Sequence, residues 1–213
     1  MHFVWDWNGT LFDDLEVVVE AVNAGLAAFK AGPIDLDQYR THYTRPVKLF
    51  YDRLLGRPVS EEEWLHLDLI FHESYRLLLD HARLTVDAAR ALTTVRSGGH
   101  TQSLLSMFPH LELVPLVDRL GVASFFDRID GLTGTPGDKK ARYLERHLRE
   151  LIVGEDPRQV VVIGDTPDDA EAASKVGAAC VLYNGGSHHR HQLESVGVPV
   201  VGTLVDAVEI ALS

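Results

Sequence analysis

Gln159-Val160-Val161-Val162-Ile163-Gly164-Asp165-Thr166-Pro167-Asp168-Asp169 is the stretch that decides the fold of this chain. Four consecutive β-branched residues read as a short buried strand over 159–163, and Thr166-Pro167 then opens a helix over 168–176. An acid thus stands at the end of a strand, just ahead of a helix start. Read alone, Asp165-Thr166-Pro167 is also an ordinary helix cap with proline in the first turn. The same strand-then-acid pattern occurs at Phe3-Val4-Trp5-Asp6. Working outward, further short apolar runs at 101–106, 128–132, 179–182 and 198–201 predict strands. Helical spacing predicts helices at 111–120, 139–151, 189–196 and 203–212. Short strands alternating with helices of about ten residues read as βαβ units, hence an α/β fold with a Rossmann-like parallel sheet.

Between the first strand and residue 84 the pattern changes. Val18, Val19, Val22 and Leu26 recur at three- and four-residue steps, as do Trp64, Leu67, Ile70 and Phe71. Gly32-Pro33 and Gly56-Arg57-Pro58 punctuate this stretch, and Ser60-Glu61-Glu62-Glu63 reads as a capping box. About four helices and no strand are expected here. The expected division is therefore an α/β core of residues 1–14 and 84–213, with a helical domain of residues 15–83 inserted.

Composition sets the bounds. The chain has 213 residues, 46% hydrophobic and 24% charged, enough for a large core without disulfides. Cys180 is the only cysteine, which fits a reducing compartment and excludes a cysteine-built metal site. A net charge of −11 disfavours nucleic acid and anionic membranes as partners. No run approaches about 18 consecutive apolar residues, and Met1-His2-Phe3-Val4-Trp5-Asp6 does not read as a signal peptide. A cytoplasmic monomer or homodimer is expected.

Asp6, Ser106 and Asp165 each fall at or just past the C-terminal end of an expected parallel strand, the edge where open α/β sheets bind ligands. Ser106 and Lys139-Lys140 are individually unremarkable as a cap and a solvated helix start, and Asn8-Gly9 alone reads as a hairpin turn. Together, two carboxylates, a hydroxyl and an ammonium suit Mg²⁺-assisted chemistry on a phosphate group. Magnesium takes carboxylate and phosphate oxygens, while the lysine and serine offset charge developing on the phosphoryl group.

These residues resemble the haloacid dehalogenase superfamily, in particular its phosphoglycolate-phosphatase-like branch with a helical cap. The first motif of that family is matched by Asp6-Trp7-Asn8-Gly9-Thr10-Leu11, with one departure. Gly99 and Ser106 keep the spacing of the second, and Lys140 fits the third, with Lys139 as the other candidate. Gly164-Asp165-Thr166-Pro167-Asp168-Asp169, followed by Ala172, Ala173 and Gly177, matches the fourth. The resemblance implies a hydrolase acting on a small phosphorylated substrate in two steps, with Asp6 attacking phosphorus to form an aspartyl-phosphate that water then hydrolyses. It implies Mg²⁺ bound by the Asp6 and Asp165 carboxylates and the Asn8 backbone carbonyl. Ser106 and Lys140 would contact the transferring group, Asp169 would orient Lys140 or a metal-bound water, and Thr10 would support the motif loop.

The departure is Asn8, which stands where the family's phosphatases carry an acid that protonates the leaving oxygen and activates water. An amide cannot trade a proton at neutral pH, and general acid–base help is worth about 10²–10⁴-fold. A slow phosphatase, one suited to good leaving groups, one borrowing a proton carrier such as Asp13 or Asp14, and a phosphometabolite-binding protein that lost efficient turnover all follow from it. In the inserted block, Arg40, Arg45 and Lys48 concentrate positive charge, and Arg45 or Lys48 would read the far end of a substrate. His188, His189 and His191 are neighbours that cannot all face one ion, and they read as a loop and helix start.

Overall fold

The computed structural model describes residues 1–134, 139–151 and 156–213, and the chain divides into two compact units. The first comprises Met1–Asp13, Leu84–Gly186 and Arg190–Ser213; the second comprises Asp14–Arg83 and Ser187–His189.

In chain order the elements are β1 (His2–Trp5), β2 (Phe12–Asp13), α1 (Leu15–Ala28), α2 (Leu36–His42), α3 (Val47–Leu55), α4 (Glu61–Leu78) and β3 (Arg83–Leu84). There follow α5 (Ala88–Ser97), β4 (Thr101–Pro109), α6 (His110–Arg119), β5 (Ile129–Leu132) and α7 (Lys140–Leu151). The chain ends with β6 (Val160–Gly164), α8 (Pro167–Val176), β7 (Ala179–Tyr183), α9 (Arg190–Glu194), β8 (Val200–Val201) and α10 (Leu204–Leu212).

The first unit is built on a six-stranded sheet of order β5-β4-β1-β6-β7-β8, with every neighbouring pair parallel. From β1 the chain builds outward to β4 and β5 on one side, then returns to place β6, β7 and β8 on the other. That reversal opens a crevice at the C-terminal ends of the central strands. The buried strands explain the near-continuous apolar runs in the sequence: Val4, Val160, Val162, Leu105 and Leu182 pack with Leu144 of α7 and Ala170 and Ala173 of α8.

Three features differ from the sequence reading. Ser106 lies inside β4, which continues to Pro109 after a register irregularity beyond Leu105, instead of closing the strand. The helix α5 and the small β2–β3 ribbon, where the chain crosses between the units, were not anticipated. The buried stripe of α5 is Ala88, Ala91, Leu92 and Val95, half of it alanine, which gives a faint apolar period.

The second unit is helical. Leu15, Val19, Val22 and Leu26 of α1 form a core with Phe50 and Tyr51 of α3 and Leu67 of α4. Reciprocal capping boxes open two of its helices: Gln38 N–H donates to Asp35 Oδ1 at α2, and Ser60 N–H to Glu63 Oε2 at α4. Gly56, with φ of +66°, ends α3 in the left-handed conformation. No described helix is long and apolar enough to cross a membrane.

Candidate active site

The paired strands at the centre of the sheet bring two acids to one edge. Trp5 of β1 is in register with Ile163 of β6, and Asp6 N–H donates to the Ile163 carbonyl at 2.8 Å. Asp6 is the first residue past β1 and Asp165 the first past β6. Beyond Asp6 the chain folds back on itself, with Thr10 N–H and Phe12 N–H both donating to the Trp7 carbonyl. This is a closed loop, not a two-residue hairpin. Gly9 takes φ of +71° within it, and a Cβ there would lie 2.7 Å from Asp165 Oδ2.

Asp169 arrives from the first turn of α8. Thr166 N–H and Thr166 Oγ1–H both donate to Asp169 Oδ2, at 3.0 and 2.6 Å, while Asp169 Oδ1 faces Lys140 Nζ. Lys140, the first residue of α7, also donates to Asp6 Oδ1 at 2.5 Å. Of the two adjacent lysines, the side chain of Lys140 is 8% exposed and inserted between these acids. That of Lys139 is 75% exposed and pairs with Glu171.

Carboxylate oxygens of Asp6, Asp165 and Asp169 all lie within 4.8 Å of one another, and all three residues are buried. Three buried carboxylates around a single ammonium leave an excess of negative charge, which is unfavourable in a low-dielectric site without a further cation. The titration behaviour reflects this. Burial pushes the Asp6 carboxyl up to about 6, aided by Asp169 and opposed by Lys140. Burial alone would lower the Lys140 pKa, but Asp169 and Asp6 outweigh it and hold the ammonium above the ordinary lysine range. Asp169 is likewise held below the ordinary carboxylate range, because Lys140 and Thr166 outweigh its burial. The donor set is all oxygen, so the residues present fit a hard divalent cation such as Mg²⁺.

The remaining candidates sit around this cluster in different degrees. Thr10 Oγ1 donates to Asp165 Oδ1 at 3.4 Å, and the Thr10 carbonyl accepts from Thr85 Oγ1 at 2.5 Å. Ser106 Oγ donates to Asn8 Oδ1 at 3.5 Å and accepts from Phe108 N–H. Arg45 and Lys48 are not part of the cluster: they belong to the helical unit, where Lys48 pairs with Glu61. Asp14 accepts from Tyr75 Oη at 2.6 Å in that same unit. There too, His189 Nε2 contacts Thr41 Oγ1 and the His188 ring stands edge-on to Tyr43. Trp5 and Trp7 are fully buried, Trp5 donating to Gln102 and Trp7 stacking on Phe12.

Sequence reasoning missed two supports. Thr85 ties down the loop after β1, and nothing in the local sequence marks it. Gly186 packs so closely on Asp165 that a Cβ would overlap its carboxylate; the Gly185-Gly186 pair was the available signal.

Residues 1–177 match the family described as haloacid dehalogenase-like hydrolase. Phosphoglycolate phosphatase of Synechococcus elongatus is 28% identical over 192 residues, covering 89% of this chain and 86% of that protein. Phosphoglycolate phosphatase 1 of Pseudomonas aeruginosa is 23% identical over 214 residues, covering 98% and 78%. Among solved structures, a predicted phosphatase from Clostridium acetobutylicum superposes with a TM-score of 0.83 over 99% of this chain and 97% of that one, at 17% identity, and so shares the fold. With the match spanning every acid of the cluster, this chain belongs to the haloacid dehalogenase-like hydrolase family.

Proposed function

We propose that this protein is a Mg²⁺-dependent phosphatase that hydrolyses a small phosphorylated metabolite through a phosphorylated Asp6. One observation carries the reading: Asp6, at the mouth of the central strands, is held by a buried lysine inside a cluster of three carboxylates. The phosphoglycolate phosphatases among its relatives support a phosphate ester as substrate.

In this reading Asp6 attacks phosphorus, the bond from phosphorus to the leaving oxygen breaks, and water hydrolyses the resulting acyl phosphate. The Lys140 ammonium and the Ser106 hydroxyl hold the phosphoryl oxygens, and Asp169 keeps Lys140 aimed at them. The Asp6 and Asp165 carboxylates and the Asn8 backbone carbonyl would hold Mg²⁺, with Thr10 supporting Asp165. When bound, the ion supplies positive charge against the phosphoryl oxygens. Residues 1–14 and 84–213 form the catalytic core in this proposal, and residues 15–83 a helical cap in which Arg45 and Lys48 read the far end of the substrate.

Asn8 shapes the activity. Its amide transfers no proton, so turnover is slow or favours leaving groups that depart unprotonated, such as the carboxylate of an acyl phosphate. Asn8 is also the observation that favours the second reading, a phosphometabolite-binding protein with little turnover. Phosphate release over a panel of monoesters and acyl phosphates, with Mg²⁺ and with Asp6→Asn as control, separates the two. Release that vanishes in the control supports the phosphatase. Binding of Mg²⁺ and a phosphate mimic with no release from any compound supports the binding protein.

A further inference from the structure

Away from the carboxylate cluster, the first unit buries a second polar system. His147 of α7 is fully buried. Its Nδ1 lies 2.7 Å from Asp130 Oδ2 on β5, and its Nε2 lies 2.8 Å from Ser103 Oγ on β4. Ser103 Oγ is also 2.8 Å from His2 Nε2 on β1, and His2 Nδ1 is 2.8 Å from Thr101 Oγ1. Arg128 Nε donates to Asp130 Oδ2 at 2.5 Å. The arrangement has the order of a serine–histidine–aspartate triad, but Ser103 is fully buried within β4, so no substrate reaches it.

One proton arrangement satisfies every member with both histidines neutral. Thr101 O–H donates to His2 Nδ1, His2 Nε2–H to Ser103, Ser103 O–H to His147 Nε2, and His147 Nδ1–H to Asp130. The system joins β1, β4, β5 and α7. Three of these elements lead directly to site residues: β1 to Asp6, β4 to Ser106 and α7 to Lys140.

The spacing along α7 gives the network its consequence. Lys140 and His147 are two helical turns apart, about 10 Å, on one face, with Tyr143 and Leu144 buried between them. Apolar packing at Leu144 is nearly non-directional, and Tyr143 adds only a long bond from its hydroxyl to the Thr133 carbonyl at 3.4 Å. His147 is directional at both ring nitrogens, and a shift of one residue would turn the helix by about 100° and break both bonds. We propose that His147 is a positioning residue: held by Asp130 and Ser103, it fixes the rotation and height of α7 and thereby seats the Lys140 ammonium between Asp6 and Asp169. The consequence for turnover rests on the phosphatase reading, whereas the consequence for Lys140 does not.

The test uses the full chain and two readouts. The first is acylation of Lys140 relative to Lys139 by an amine-reactive anhydride, read by mass spectrometry on folded protein. Lys139 is the internal control because it is exposed and adjacent. In His147→Leu the Lys140-to-Lys139 ratio rises severalfold, and in His147→Asn, which retains a donor toward Asp130, it rises less. The second readout is steady-state kinetics, where His147→Leu lowers kcat by about 10- to 100-fold with KM within about twofold, the pattern of a displaced catalytic group. Should His147→Leu fail to fold, Ser103→Ala removes one anchor and raises the same ratio. An unchanged ratio in folded variants overturns the proposal, whatever the activity does. If the wild-type protein releases no phosphate from any compound, the phosphatase reading fails while the labelling ratio still decides the role of His147.

Discussion

Lys140 Nζ lies 2.5 Å from Asp6 Oδ1, a contact that spans 134 positions of sequence and buries both partners. Asp169 completes the arrangement on the other side of the ammonium. Each group is tolerated in the interior because of the others, which makes single substitutions informative.

Lys140→Met leaves Asp6 and Asp169 buried without their counter-ion. Breaking a buried pair by removing one partner costs about 3–5 kcal/mol. The expected outcome is a loss of that order in urea unfolding, together with loss of phosphate release. Lys139→Met, at an exposed position, is expected to stay within about 0.5 kcal/mol of the wild type.

Restoring a proton carrier at position 8 is expected to raise turnover. Asn8→Asp gains up to about 10²–10⁴-fold in kcat for esters with poor leaving groups, and little for acyl phosphates. Initial rates over a series of leaving groups measure this, and equal gains across the series would count against the role assigned to Asn8.

Gly186 leaves room for the Asp165 carboxylate, and a methyl group there would overlap it. In the proposed reading Asp165 holds Mg²⁺, and displacing the support of a metal ligand lowers affinity by about 10- to 100-fold. Calorimetric titration with Mg²⁺ is therefore expected to show that loss in Gly186→Ala. If the proposed Mg²⁺ site holds, Mg²⁺ at about 100 times its dissociation constant is expected to add about 2.7 kcal/mol to unfolding of the wild type, with chelation reversing the gain.

His2 gives stability a pH dependence. Burial lowers its pKa from 6.5 to about 4. Between these values the unfolded chain binds the proton and the folded one does not, so the contribution of His2 is full above pH 6.5 and is lost as pH falls to about 4. At 1.36 kcal/mol per pKa unit this amounts to about 3 kcal/mol. Urea unfolding across that window is expected to show a steeper decline in wild type than in His2→Gln.

Much of this protein is written locally. The valine run at 160–162 with Asp165 and Pro167 behind it, and Phe3-Val4-Trp5 with Asp6 behind it, announce buried parallel strands that end in acids. Strand length, β-branching and helix capping are short-range properties, so the α/β class and the capping box at Ser60 were legible. The faint alanine stripe of α5 and the two-residue strands β2 and β3 were not, because pairing and burial, not propensity, make those elements. Ser106 shows the limit of boundary reading, since the strand continues past it where β5 offers a partner.

The sequence by itself nominated the candidate site residues: Asp6, Asn8, Ser106, Asp165 and Asp169, with Lys139 and Lys140 as alternatives, all stand in recognisable local patterns. Only the tertiary structure decided how they combine. It chose Lys140 over Lys139, because the start of α7 turns one side chain toward two buried acids and the other toward Glu171 and solvent. It set Thr85 and Gly186 against the site, and it linked His2, Ser103, Asp130 and His147 beneath it. Such choices depend on strand register and helix rotation, which place residues more than a hundred positions apart within hydrogen-bonding distance and leave no periodic trace in the chain.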